Sequence, residues 1–183
     1  MVRAVERVRE RLLLVAGALQ RAGIHYAVAG GNAAASWVAR VDETAVRNTQ
    51  DVDLLIRRSD LARASTALSG AGFFTRHSAG RETFLDGPNA GPREAIHVIF
   101  AEEKVRPVHL YPAASVDEVV RAVEFNVLSL ESLICMKLTA FRDKDRTHLR
   151  DLIDVGLIDS SWTTRLPVDL AGRLQQLLDM PDG

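Results

Sequence analysis

The sequence predicts an α/β (α+β) domain in which a mixed β-sheet is flanked by helices and followed by a C-terminal helical region. Short apolar runs bounded by glycine, proline and polar residues alternate with helical periodicity as far as residue 128, a pattern typical of sheets covered by helices. From residue 129 onward the periodicity is helical alone. We place a sheet-containing core at residues 1–125 and a helical region packed on it at residues 126–183, together forming one folding unit.

The elements follow in order along the chain. Apolar residues recurring at three- and four-residue steps predict a first helix that ends near Gly23, a natural left-handed cap. Residues 24–29 predict a buried strand that ends at Gly30-Gly31, and Asn32 can cap the helix that follows. The further predicted segments are an alternating strand at 51–56, a helix capped by Ser59 or Asp60, strands near 73–76, 82–85 and 95–100, a short helix at 117–122, an extended segment at 125–128, a helix from the cap Ser129 to about 142 that residues 143–146 interrupt, a helix to about 157, and a final helix at 166–178.

The composition is that of an ordinary globular protein. Hydrophobic residues make up 47% and charged residues 26% of the 183 residues, and the formal net charge is −1, so any grip on nucleic acid must be local. Cys135 is the one cysteine, which excludes an internal disulfide and fits a small core residue. No run is long enough to span a bilayer, and the N-terminus does not resemble a signal peptide. We therefore expect a cytoplasmic protein without a membrane partner.

Asp51 and Asp53 are the first candidates for chemistry. Residues two apart on a strand project from the same face, so both carboxylates can reach one hard cation. Such cations neutralise a triphosphate and stabilise leaving pyrophosphate in nucleotidyl transfer. The alternative interpretation is a solvated strand edge.

Gly30-Gly31 follows a buried strand and precedes a helix. The turn has no β-carbons, and the helix N-terminus offers unpaired backbone amides to phosphate oxygens. A plain strand-to-helix turn is the alternative. Because the acidic strand comes shortly afterwards, the spacing favours a phosphate site beside a metal site.

Four segments together suggest a family, namely AGGNAA at 29–34, RNTQDVDL at 47–54, LICMKLTAFRDKD at 133–145 and RDLID at 150–154. They resemble the nucleotidyltransferase superfamily, in particular its AbiEii-type toxin branch, over about residues 24–157. The resemblance implies that Asp51 and Asp53 ligate Mg²⁺ or Mn²⁺. It also implies that Gly30 and Gly31 pack against a nucleoside triphosphate and that Lys137 reaches a phosphate. Without the resemblance, Lys137 is more simply a solvated or snorkelling helix residue.

Asn32 and Thr49 are further candidate nucleotide-binding residues. Thr49 and Arg47 can orient the turn or bind phosphate, although exposed loop residues are a comparable explanation. Asp145, Asp151 and Asp154 are expected on a solvated face or paired with Arg146 and Arg150, or on a second substrate surface. His77, His109 and His148 have no metal-like spacing to one another.

His97 is a departure from the superfamily, which places a third carboxylate at the corresponding strand position. Three interpretations stand. His97 can be a substitute ligand or general base, a satisfied core histidine in a binding-only relative, or a sign that another acid, Glu82 or Glu94, takes the role.

The resemblance implies an enzyme that moves a nucleoside monophosphate from a nucleoside triphosphate to a hydroxyl acceptor, either RNA such as a tRNA end or a protein side chain. It further implies a toxin–antitoxin or phage-defence context with a cognate toxin or antitoxin partner. The alternative function is a non-catalytic nucleotide-binding or partner-binding module, which the histidine at position 97 motivates.

Overall fold

The computed structural model describes residues 2–47, 49–78, 80–87, 90–91 and 95–180, and for residues 2–5 it describes the backbone. Within these residues the chain forms a seven-stranded sheet and six α-helices, which confirms the predicted fold class. The elements are α1 Val2–Arg21, β1 Tyr26–Ala29, α2 Gly30–Val38, β2 Val52–Ile56, α3 Leu61–Ser69, β3 Phe73–Ser78, β4 Arg81–Asp86, β5 Ala95–Phe100, β6 Val119–Arg121, β7 Asn126–Leu128, α4 Leu130–Ala140, α5 Asp143–Asp154 and α6 Val168–Asp179.

The sheet has the strand order β3-β4-β5-β2-β1-β7-β6. β2 is parallel to β5, β1 is parallel to β7, and the other neighbours are antiparallel. β1 and β2 therefore lie at the centre, where every residue of β1 and all of β2 except Asp53 are buried. β6 and β7 pair across the predicted boundary between residues 125 and 126, and that boundary stays a prediction.

The first helix follows its periodicity. Val8, Leu12, Val15 and Leu19 are all buried in the core, and Gly23 ends the segment with a φ of 63°, as predicted. α4 also begins at its predicted cap, since the Ser129 side chain accepts a hydrogen bond from the Ser132 amide. No helix among the described residues is long and apolar enough to cross a membrane.

Three local predictions are wrong. Residues 119–121 form strand β6 instead of a helix, because their β-branched valines pair with β7 and that pairing overrides the local helical pattern. Asn32 does not cap α2, which begins two residues earlier, at Gly30. The charged residues 143–146 do not interrupt a helix, because α5 begins at Asp143, after a break at Phe141.

The cap of α4 gives a stability prediction. Ser129→Ala removes the hydroxyl that satisfies the Ser132 amide at 3.2 Å, and we expect the free energy of unfolding to fall by about 0.5–2 kcal/mol in urea denaturation. Ser59→Ala is the matched control, because Ser59 is exposed in the short 3-10 turn Arg58–Asp60 and should change stability by less than about 0.5 kcal/mol. Equal losses in the two variants would contradict the cap.

Candidate functional site

The turn between β1 and α2 touches the acidic strand directly. Gly30 has a φ of +64°, and a β-carbon placed there would lie 1.9 Å from Asp53 Oδ2. A β-carbon on Gly31 would lie 2.9 Å from Thr49 Cγ2. Both glycines are therefore required by close approach, and only glycine adopts the conformation at position 30 readily.

Strand pairing aligns Asp53 with His97. β2 and β5 are parallel with these two residues as register partners, so their side chains stand side by side on one face of the sheet. Ala29 is the partner of Asp53 on β1. Asp51 comes directly before β2 and lines the same cleft as Asp53 and His97.

Asp53 is an acid in a desolvated position. Burial raises its pKa above the ordinary value, and the negative charge of Asp51 adds to the rise, while Lys144, His97 and Lys137 oppose it. The Lys144 ammonium lies 3.3 Å from Asp51 Oδ2. The two carboxylates thus already attract positive charge, in this case from the protein itself.

A residue in the left-handed conformation turns the chain between α4 and α5 and brings further charged side chains near Asp53. Phe141 has a φ of 49°, and the reversal sets Asp145 Oδ1 3.7 Å from the Lys137 ammonium. Arg142 donates to the same carboxylate at 2.8 Å. Asp145 is 4% exposed, so the predicted solvated face, or pairing with Arg146 and Arg150, is wrong for this residue.

Lys137 is buried instead of solvated. Its side chain is 3% exposed, and its ammonium donates to His148 Nδ1 at 2.8 Å. Burial lowers the pKa of Lys137 to about 8, against the pull of the carboxylates of Asp145 and Asp53. Burial and the neighbouring ammonium lower the pKa of His148 to about 4. Near neutral pH, Lys137 is therefore charged and His148 is a neutral acceptor.

The two acids and the cationic side chains around them line one cleft of about 280 Å³. It contains Gly30, Asp51, Asp53, His97 and Lys137, so five of the predicted site residues come together. Cationic side chains outnumber acidic ones along its walls in the described part of the chain, which suits a polyanionic ligand. The cations are Arg58, Arg81, Lys104, Arg106, Lys137, Arg142 and Lys144, and the acids are Asp51, Asp53, Glu82, Glu103 and Asp145.

Asn32 and Thr49 face a different hollow, between α1, α2 and residues 121–125. The Asn32 amide donates to the main-chain carbonyl of Asp51 at 2.7 Å, and Thr49 packs against Gly31. Neither residue lines the cleft that contains Asp53. Arg47 pairs with Asp151 at 3.0 Å, a partner that the sequence did not indicate. Nucleotide contact by Asn32 and Thr49 stays a prediction.

The two alternative acids differ in what the structure describes. Glu82 lines the cleft, and its carboxylate is paired with His77 Nδ1 at 2.6 Å. Glu94 lies outside the described residues.

Sequence reasoning gave no role to Lys144, Arg142 or His148. A RDKD run directly after the Lys137 helix is the one signal that could have drawn attention to them.

Asp51 and Asp53 suit a metal that takes its other ligands from water and a substrate. No group of three or more His, Cys, Asp or Glu side chains in the described residues is arranged to hold a metal ion. Mg²⁺ usually takes one or two carboxylates and completes its octahedron with water and phosphate oxygens. Asp51 and Asp53 fit this requirement, because they line one cleft and a lysine ammonium already lies against the former.

A mixed sheet with a glycine turn set against a paired-acid strand, closed by C-terminal helices, defines a nucleotidyltransferase fold. A family model described as "Nucleotidyl transferase AbiEii toxin, Type IV TA system" matches residues 13–179. The protein belongs to this family. The family supports nucleotidyl transfer as the general activity and implies an antitoxin partner.

Solved structures share the fold at low identity. An antigenic nucleotidyltransferase-like protein from Paracoccidioides brasiliensis matches with a TM-score of 0.60 and 17% identity, over 97% of this chain and 90% of that one. ANT(2″)-Ia in complex with adenylyl-2″-tobramycin matches with a TM-score of 0.55 and 13% identity, over 88% and 94%. JHP933 from Helicobacter pylori matches with a TM-score of 0.54 and 17% identity, over 100% and 77%. No curated protein sequence matches significantly.

The glycine contact can be tested by stability alone. Gly30→Ala should lower the free energy of unfolding by about 1–3 kcal/mol, because it combines strained backbone with overlap on the Asp53 carboxylate. Gly172→Ala is the control. It has open space around it in α6 and should gain up to about 1 kcal/mol from helix propensity.

A double variant separates overlap from backbone strain. In an Asp53→Ala background the carboxylate is gone, so Gly30→Ala should cost less than in the wild type, as measured by a double-mutant cycle in urea. The same cost in both backgrounds would show that the two residues do not collide.

Proposed function

We propose that this protein transfers a nucleoside monophosphate from a nucleoside triphosphate to a hydroxyl acceptor, with Mg²⁺ or Mn²⁺ held by Asp51 and Asp53. The observation that carries the proposal is the contact between Gly30 and the Asp53 carboxylate. It joins a helix start that can bind phosphate to the acids that can bind a metal.

The triphosphate is bound by the start of α2 and by cationic side chains of α4 and α5. Backbone amides at the start of α2 point to phosphate oxygens, and the helix dipole favours their negative charge. Lys137, Arg142 and Lys144 line the cleft and offset that charge. Lys144 exchanges its bond with Asp51 for one with phosphate when the metal is present, because both cations compete for the same carboxylate.

The bond changes are those of an in-line displacement. The acceptor oxygen forms a bond to the α-phosphorus, the bond to pyrophosphate breaks, and His97 takes the proton of the attacking hydroxyl. A metal held by Asp51 and Asp53 would neutralise phosphate charge as pyrophosphate leaves. His97 suits its role because it stands beside Asp53 in the strand register. RNA, such as a tRNA end, or a protein side chain supplies the hydroxyl, in the cytoplasm.

A second candidate is a nucleotide-binding or partner-binding module without catalysis. It is favoured by the histidine opposite Asp53, because the third acid is absent from that strand position. The two functions are separated by incubating the protein with labelled triphosphates, Mn²⁺ and total tRNA. Calorimetric binding of nucleotide without any labelled acceptor would favour the module.

Removal of either acid should abolish transfer. Asp51→Asn and Asp53→Asn should each lower the rate by several orders of magnitude, by the usual cost of losing a catalytic metal ligand. Asp159→Asn is the control, since Asp159 caps the short turn Ser160–Thr164 at the surface and should transfer normally. An unchanged rate in either acid variant would falsify the assignment.

The lowered pKa of Lys137 gives a pH dependence. The ammonium is charged below about pH 8 and neutral above it. The positive charge that attracts phosphate is therefore lost as pH rises. We expect kcat/KM for the triphosphate, which reports the free enzyme, to fall about tenfold per pH unit above that value. Lys137→Met should be poorly active and lack this fall. A wild-type profile that stays flat to about pH 10 would contradict the charge role.

A further inference from the structure

Arg173 of α6 binds the end of α4. Its guanidinium donates to the main-chain carbonyls of Leu138 and Thr139, and the amide of Phe141 donates to the carbonyl of Lys137 at 2.8 Å. The last carbonyls of a helix have no partner within that helix, so a side chain from another helix satisfies two of them. Arg173 thereby closes the helical turn that carries Lys137.

The same guanidinium reaches the aromatic ring of Phe141. It lies 5.2 Å from the ring centroid, and the guanidinium of Arg146 on α5 lies 5.6 Å from it. Both distances are within the range of a cation–π interaction. Phe141 is the residue whose positive φ reverses the chain between α4 and α5, so groups from α5 and α6 together hold this reversal.

The reversal decides where Lys137 lies relative to its partners. Lys137 comes before it and Asp145 after it, and their charged groups are 3.7 Å apart. A non-glycine residue with positive φ keeps that conformation only when its surroundings fix it. Without the Arg173 contacts, the end of α4 would be free to move, and the Lys137 ammonium would move with it.

We infer that Arg173 is a positioning residue that holds Lys137 where a polyphosphate binds. The inference rests on the proposed function, because it takes the cleft as the triphosphate site. Arg173 does not itself line the cleft, so its effect on a ligand must pass through Lys137 or through its own charge at long range. The two routes can be separated, because only the first requires Lys137.

The test measures binding of ATP and of inorganic tripolyphosphate, each with Mn²⁺, by calorimetry at low ionic strength, where charges are least screened. Arg173→Met removes the guanidinium and keeps the aliphatic stem. We expect it to weaken both ligands about three- to tenfold, the effect of about one hydrogen bond.

Leu68→Ala is the control for lost stability. Leu68 is fully buried on α3, so its truncation destabilises the protein without touching the end of α4. At a temperature where circular dichroism shows both variants folded, Leu68→Ala should bind both ligands like the wild type. Wild-type affinity in Arg173→Met, or an equal loss in Leu68→Ala, would overturn the inference.

A double-mutant cycle identifies the route by which Arg173 acts. In a Lys137→Met background the group that Arg173 positions is gone, so Arg173→Met should weaken binding by less than about twofold. The same fold loss in both backgrounds would show that Arg173 acts through its own charge, and the positioning role would be wrong.

The failure of the inference is distinguishable from the failure of the proposed function. Normal wild-type binding beside an unchanged Arg173→Met removes the role of Arg173 and leaves the proposed function standing. A wild type that binds neither ligand removes both.

Discussion

The contact between Gly30 and the Asp53 carboxylate is the constraint on which the site depends. A β-carbon at position 30 would meet that carboxylate at 1.9 Å, so any other residue there would displace the Asp53 side chain. Burial at this position raises the pKa of Asp53. The site therefore needs nearby positive charge to keep the acid ionised, and the rest of the cleft provides it.

Much of that charge comes from the C-terminal helices, which therefore form part of the site. The break at Phe141 turns the chain so that Lys137 on α4 and Lys144 on α5 both act on Asp53. The Asp145 carboxylate lies 3.7 Å from the Lys137 ammonium and offsets its charge. A buried ammonium requires such partners, and the surplus of cations over acids is left for a ligand.

The sequence predicts the central elements well because their signals are local. A β-branched apolar run gives β5 its bounds, and parallel pairing then sets His97 beside Asp53. Prediction fails where tertiary contacts decide, as in β6, whose valines are held as a strand by β7. It fails again at Phe141, because a non-glycine residue in a left-handed conformation carries no sequence signal. Because that turn was not predicted, the residue pattern offered no reason to expect Lys144 beside Asp51.

The same balance of charge bears on His97, the register partner of Asp53 on β5. A carboxylate in that register position would add a like charge to an acid whose pKa is already raised by burial and by Asp51. His97 adds no negative charge, and its electrostatic interaction lowers the pKa of Asp53. Two acids and a histidine therefore need less nearby positive charge than three acids would. In the proposed function, Asp51 and Asp53 would supply the oxygen donors for a metal and His97 the nitrogen that accepts a proton, so the proposal needs no third acid at this strand position.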